Sequence, residues 1–315
     1  MEYRKLGKTG IKVSRLCFGG LTVGPLQANL PLEEGAEVMR QAFDRGVNFI
    51  DTAELYRTYP YIALAIKKSQ KDIVVSSKTY AYDRAGAQKS VEKARKELDR
   101  DVIDIFMLHE QESALTLRGH REALEYLWEC KQKGIIRAVG VSMHHIAAVR
   151  AVCDMEGIDV IHPIVNYAGI GIVDGTLDEM LKEVKRAYDK GIGIYAMKPL
   201  GGGNLIRDVK KCLDYVTSIP YIHSIALGMQ SIEEVIANIN YFEGKETDKE
   251  ITDKLKKQRR ALHIEDWCEA CGNCIAACKH NALFIKDNKV VVDKEKCVLC
   301  GYCGSRCKNF AIKVV

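Results

Sequence analysis

The sequence predicts an α/β fold: a (β/α)8 barrel over residues 1–243, a connecting helix at 244–263, and a small cysteine-rich α+β domain at 264–315. Three observations predict it. Short apolar runs alternate eight times with longer amphipathic stretches through the first three quarters of the chain. Eight of the twelve cysteines crowd between Cys268 and Cys307 in two runs of one spacing. Between these parts lies a strongly charged stretch that includes Lys254–Arg260. A chain of 315 residues accommodates a large and a small domain. The formal charge of +5 is too small for a nucleic-acid signature. Residues 1–10 lack the apolar run of a signal peptide, and no stretch reaches membrane-span length, so a cytoplasmic protein without membrane contact is expected.

The barrel strands are expected at 13–18, 48–51, 73–77, 103–108, 138–142, 160–162, 192–197 and 222–226. The intervening helices are expected at 31–45, 61–69, 87–98, 119–133, 144–155, 177–190, 209–218 and 232–241, with apolar residues at helical spacing as in Val91, Ala94 and Leu98. Eight strand–helix units favour a closed barrel over a doubly wound open sheet, and no Gly-x-Gly-x-x-Gly follows an early strand. Residues 4–13 read as a hairpin closing the barrel bottom.

The first cysteine run is Cys268-x2-Cys271-x2-Cys274-x3-Cys278, and the second is Cys297-x2-Cys300-x2-Cys303-x3-Cys307. Dense disulfides suit small secreted chains, which this is not. Zinc sites made of four cysteines usually use two pairs of them, a poor fit to three-plus-one runs. The repeated spacing matches paired 4Fe–4S clusters, in which the fourth cysteine of each run ligates the other cluster. One set is then Cys268, Cys271, Cys274 and Cys307; the second is Cys297, Cys300, Cys303 and Cys278. Residues 264–315 resemble the bacterial two-cluster ferredoxins, although Lys279 and Lys308 stand where those carry proline. A hairpin is expected around Asp287-Asn288, and 311–315 adds a short strand. With so little apolar core, the metal must help hold this domain together.

In a (β/α)8 barrel the chemistry sits beyond the C-terminal strand ends. Those ends carry Asp51-Thr52-Ala53-Glu54-Leu55-Tyr56, Ser77-Lys78, Leu108-His109-Glu110 and Ser142. An aspartate there can be a helix cap, and a lone histidine a core residue; four polar strand ends facing one space are a stronger signal. With Gly19-Gly20, Gly140-Val141-Ser142, Asn166-Tyr167, the run Lys198-Pro199-Leu200-Gly201-Gly202, and Gly228-x2-Ser231-x6-Asn238, residues 1–241 resemble the aldo-keto reductases, which have the TIM-barrel fold. The whole chain resembles the branch of that family with a ferredoxin-like extension.

The resemblance places a catalytic tetrad on Asp51, Tyr56, Lys78 and His109. Tyr56 would be the acid in carbonyl reduction and the base in the reverse. A phenol titrates near pH 10, and the Lys78 ammonium is expected to lower it, with Asp51 fixing Lys78 and His109 orienting the substrate. Nicotinamide contacts would fall on Gly20, Ser142, His162, Met197, Lys198, Leu200, Gly202, Gly228, Ser231, Glu234 and Asn238. Several depart from the family: Met143 replaces a usual asparagine, His162 a glutamine, and Met197 an aromatic ring. Gly201–Gly203 could let backbone approach a phosphate, and the helix opening at Ser231 offers free N–H groups to an anion. Glu234 stands where NADPH-selective relatives carry arginine. This argues for NADH over NADPH, or for a lost nicotinamide site.

A hydride carries two electrons and each cluster exchanges one; flavin could bridge the two, though no flavin motif is visible. The leading expectation is an iron–sulfur oxidoreductase acting on a small carbonyl or alcohol, with the clusters passing electrons to or from a ferredoxin or other redox protein. The alternatives are an electron-transfer protein with a non-catalytic barrel, and an NADH-linked reductase with structural clusters. The basic run 254–260 reads as a solvated helix face; His144-His145 begins a helix, where neighbouring side chains point apart and do not pair on a metal; His162 and His223 read as packing residues; and Cys17 is a strand-end thiol that could approach the site.

Overall fold

The computed structural model describes residues 1–258 and 260–315. Arg259, part of the basic run, lies outside the described residues. The predicted hairpin forms from β1 (Tyr3–Lys5) and β2 (Lys12–Ser14), paired antiparallel. Eight parallel strands close the barrel among the described residues: β3 (Leu16–Gly19), β4 (Phe49–Asp51), β5 (Val74–Thr79), β6 (Ile103–Leu108), β7 (Ile136–Met143), β8 (Val160–Pro163), β9 (Gly193–Met197) and β10 (Ser224–Gly228). Each pairs with its sequence neighbours, and β10 returns to β3, as right-handed βαβ units require.

The surrounding helices are α1 (Leu32–Asp44), α2 (Tyr59–Ser69), α3 (Arg84–Leu98), α4 (Ala114–Gly119), α5 (Arg121–Gln132), α6 (Ile146–Cys153), α7 (Leu177–Asp189), α8 (Val209–Thr217) and α9 (Ile232–Phe242). The helix expected at 119–133 is α5; the short α4 that precedes it was not expected, and Ser113 starts it with a reciprocal capping box to Thr116. One core lies between strands and helices. The second fills the barrel itself, with Phe49, Ile105, Met107 and Tyr195 above and the hairpin's Leu6, Ile11 and Val13 below.

The connecting helix is shorter than expected. Only α10 (Lys249–Lys257) is helical; the chain then becomes extended, and β11 (Leu262–Ile264) pairs antiparallel with β14 (Ile312–Val314). Residues read as linker are therefore the first strand of the small domain. Its other elements are α11 (Asn273–Ala277), the hairpin β12 (Leu283–Lys286) and β13 (Lys289–Val292), and α12 (Tyr302–Ser305). The hairpin turns at Asp287 and Asn288, both at positive φ, as a tight two-residue turn demands. No described helix is long and apolar enough to cross a membrane.

Candidate functional site

The strand ends bring Asp51, Tyr56, Lys78 and His109 together. Lys78 Nζ donates to Asp51 Oδ2 at 2.8 Å and to the Thr52 carbonyl at 2.8 Å, and lies 2.7 Å from Asp51 Oδ1. Both side chains are buried. Tyr195, inside β9, donates its hydroxyl to Asp51 Oδ1 at 2.7 Å and also meets Ser76 Oγ at 2.8 Å. Burial alone would raise the Asp51 carboxyl; Lys78 and then His162 outweigh it and hold the carboxyl below its ordinary value.

Tyr56 follows β4 in a 3-10 turn, Glu54–Tyr56. Its hydroxyl lies 3.3 Å from His109 Nε2, and its ring centroid 5.0 Å from Lys78 Nζ. The expectation that Lys78 lowers the phenol pKa is corrected here. Burial first, then the charges of Asp51 and Glu110, push it well above 10. Lys78 Nζ is directed at Asp51 and the Thr52 carbonyl and meets only the face of the Tyr56 ring. The phenol thus keeps its proton. Burial and Lys78 bring His109 down to about 3, so the imidazole is neutral; its Nδ1 has no hydrogen-bond partner among the described residues.

A second layer surrounds these groups. Tyr80 stacks on His109 with centroids 4.4 Å apart and donates to Glu110 Oε2 at 2.5 Å. Lys198, at the end of β9 with φ +57°, donates to His144 Nε2 at 2.8 Å, and His144 lies 3.8 Å from Glu110. Burial lowers Lys198 to about 8 and, with Lys198 beside it, keeps His144 neutral. His144, read from sequence only as the start of a helix, therefore belongs to the site. Cys17 is buried inside the barrel, where burial and Asp51 raise its thiol well above 9, so it is no nucleophile.

The residues expected at nicotinamide are mostly engaged within the protein. Ser142 Oγ accepts the Glu110 N–H at 2.8 Å. His162 stacks on Tyr195, with Nδ1 2.7 Å from the Tyr195 carbonyl oxygen, and faces Asp51. Met197 is buried, and Leu200 packs half-buried against the main core. Gly20 lies on the Asp51 carbonyl and Gly228 against Thr22, while Asn238 is half-buried one turn beyond Glu234. Ser231 caps α9 by accepting the Glu234 N–H, and its hydroxyl also receives the Gln258 side chain at 2.9 Å. Glu234 pairs with Arg260.

The small domain sits directly on the barrel mouth. Phe310, three residues beyond Cys307, is buried against Gly171 and Gly202, with Lys198 Nζ 4.5 Å and Lys313 Nζ 3.1 Å from its ring centroid and His144 at its edge. The Val314 N–H donates to the Gly202 carbonyl at 3.0 Å. Gly203 has φ +83°, and a Cβ there would collide with the Val314 carbonyl oxygen, so only glycine permits this approach. Asn204 reaches the other way, donating to the Ile312 carbonyl at 3.0 Å.

The eight clustered cysteines are all free thiols and line two hollows. Cys268, Cys271, Cys274 and Cys307 line one; Cys278, Cys297, Cys300 and Cys303 line the other. Each hollow thus takes three cysteines from one run and the fourth from the other. Among the described residues no three His, Cys, Asp or Glu converge closely enough for a single ion. Four sulfurs around a central space suit a cubane better than one zinc. The Ala282 and Ala311 N–H groups donate to Cys278 Sγ and Cys307 Sγ at 3.3 and 3.2 Å, the contact a bound thiolate needs. The donor set therefore fits two 4Fe–4S clusters.

Residues 15–211 match the model of the aldo/keto reductase family, and residues 261–284 and 290–313 match that of the 4Fe-4S binding domain. Similar proteins include L-galactose dehydrogenase of Arabidopsis thaliana, 25% identical over 76% of this chain and 87% of that protein. Aldo-keto reductase YhdN of Bacillus subtilis is 29% identical over 45% of this chain and 47% of its own. Among solved structures, the holo form of aldo-keto reductase AKR11C1 from Bacillus halodurans superposes with a TM-score of 0.65 at 19% identity, over 82% of this chain and 96% of that one. With its closed eight-stranded barrel and its two four-cysteine hollows, the chain belongs to the aldo/keto reductase family of oxidoreductases and carries a C-terminal 4Fe-4S binding domain.

Proposed function

We propose that this oxidoreductase interconverts a small carbonyl compound and its alcohol at the barrel mouth, with Tyr56 as the acid–base group. The observation that carries the reading is the Tyr56 hydroxyl 3.3 Å from His109, beside the buried Lys78–Asp51 pair. Reduction adds two electrons and two protons to the C=O group. A phenol kept protonated by its surroundings donates to the carbonyl oxygen as negative charge develops there. His109, neutral and with one nitrogen without a partner among the described residues, orients that oxygen and strengthens its hydrogen bond as charge grows. Lys78 packs against the face of the Tyr56 ring, and Asp51, fixed by Tyr195, holds Lys78 in place.

Cys268, Cys271, Cys274 and Cys307 would hold one cluster, and Cys278, Cys297, Cys300 and Cys303 the other. When bound, the clusters supply one-electron transfer. A ferredoxin or another redox protein is the partner such a domain suits. The test is turnover of a panel of small aldehydes, ketones and aldoses by the cluster-loaded enzyme, with reduced ferredoxin and, separately, NADH as donor. Tyr56→Phe should lower turnover by about 10²–10⁴-fold without altering cluster content. Unchanged turnover would remove Tyr56 from the reaction.

A further inference from the structure

Two features of this barrel are suited to hold a dinucleotide's phosphates, and this chain already fills both. The first is the turn after β9, where Gly201, Gly202 and Gly203 have consecutive positive φ angles of 57°, 65° and 83°. Such a turn lets a ligand or another backbone approach closely. What approaches here is the C-terminal segment: the Val314 N–H holds the Gly202 carbonyl, the Val314 carbonyl lies on Gly203, and Phe310 covers Gly202 and Gly171.

The second is the N-terminus of α9, whose free N–H groups would attract an anion. There the Glu234 carboxylate already accepts the Gln230 N–H at 2.6 Å, and Ser231 Oγ accepts the Glu234 N–H. Gln258 and Arg260 close over both side chains, the first on Ser231 and the second on Glu234. Among the described residues, three cations of the groove are committed as well: Lys198 to His144, Lys313 to the Phe310 carbonyl, and Arg260 to Glu234. A dinucleotide would have to displace Phe310, break the Val314–Gly202 bond, and set its phosphates beside a carboxylate. The residues present do not fit NAD(P)H.

We infer that Gln258, Arg260 and Phe310–Val314 stand permanently in the dinucleotide groove of their own barrel, so that the cluster-loaded protein takes no nicotinamide there and draws its electrons from a one-electron carrier protein. The inference rests on the carbonyl-reducing reading for its purpose, but not for its test. Two one-electron deliveries from a low-potential iron–sulfur carrier balance the conversion of C=O to CH–OH, together with two protons from solvent, one relayed to oxygen by Tyr56.

The experiment uses the full, cluster-loaded chain under anaerobic conditions. Calorimetric titration with NADH and with NADPH should give no saturable binding up to about 1 mM. Hydrogen exchange at residues 201–203 and 310–314 should be unchanged at that concentration. Stoichiometric addition of a reduced two-cluster ferredoxin should bleach the cluster absorbance, and NADH or NADPH alone should not. Saturable nucleotide binding below about 1 mM, nucleotide-induced exposure of 310–314, bleaching by nucleotide alone, or failure of reduced ferredoxin to bleach would each overturn the inference. None of these readouts involves carbonyl turnover, so the role of Tyr56 stands or falls separately.

Discussion

Replacing Lys78 with methionine keeps the volume of the side chain and removes its charge. Asp51 is then left in the barrel interior with only the Tyr195 hydroxyl at 2.7 Å and His162 at 3.7 Å. Breaking a buried ion pair by removing one partner costs about 3–5 kcal/mol, because the remaining charge is uncompensated. Asp51→Asn should cost a comparable amount by stranding the ammonium. In the double variant neither charge remains: asparagine still accepts from Tyr195, and the main loss is the Thr52 carbonyl's partner, about 1–3 kcal/mol. The double variant should therefore be no less stable than either single one, with a coupling of at least ~2 kcal/mol in the cycle. Urea unfolding followed by far-UV circular dichroism, on anaerobic cluster-loaded protein, measures all four corners. A double variant whose loss equals the sum of the two singles would refute the reasoning, since it would mean the two charges are independent.

His109 and His162 are held neutral, with pKa values brought to about 3 and about 4 chiefly by burial, against about 6.5 in an unfolded chain. The unfolded state therefore binds more protons between these limits, and barrel stability should fall as pH drops from 6.5 toward 4, by up to ~2.7 kcal/mol per unit from this pair; a flat profile in urea unfolding would count against their burial as neutral groups. Cys307→Ala and Cys278→Ala should each remove about half the bound iron and leave one EPR-active cluster, the first disturbing the hollow of Cys268 and the second that of Cys300; loss of the cluster of the mutated residue's own run would reverse the assignment. Gly301→Ala drives a Cβ into the Asn204 carbonyl at a φ of +82°, so it should loosen the small domain from the barrel and speed limited proteolysis near residues 244–248; unchanged cleavage would mean the contact is not closely packed.

The barrel and the four strand-end residues were legible because both depend on local pattern: strand–helix alternation sets the closure, and the position after a strand sets which side chains face the mouth. The grouping of the cysteines around two hollows, three from one run and the fourth from the other, is the one that the resemblance of the repeated spacing to two-cluster ferredoxins implied. Tyr195 was not legible. It lies in an apolar strand, Gly193–Met197, where a tyrosine reads as core, and only the closed barrel brings its hydroxyl across to Asp51. Nor were Phe310 and Lys313, whose contacts lie more than 100 residues away in sequence, at Lys198 and Gly202. Glycines 201–203 correctly signalled a close backbone approach, but not that the approaching backbone is the chain's own. The Tyr56 shift was misjudged because the charge of Lys78 was considered without the burial of the phenol and the nearby Asp51 and Glu110 carboxylates.

The strand that seals the mouth is translated after the whole barrel. As the nascent chain leaves the ribosome, all eight barrel strands are available before Ile312–Val314 exists to pair with Leu262–Ile264 and reach Gly202. The barrel strands can therefore pair while the mouth is still bare, and the small domain, poor in apolar core, would draw stability from its clusters. One strand, Ile312–Val314, thus serves both halves, so the order of the small domain and the covering of the barrel mouth are a single event.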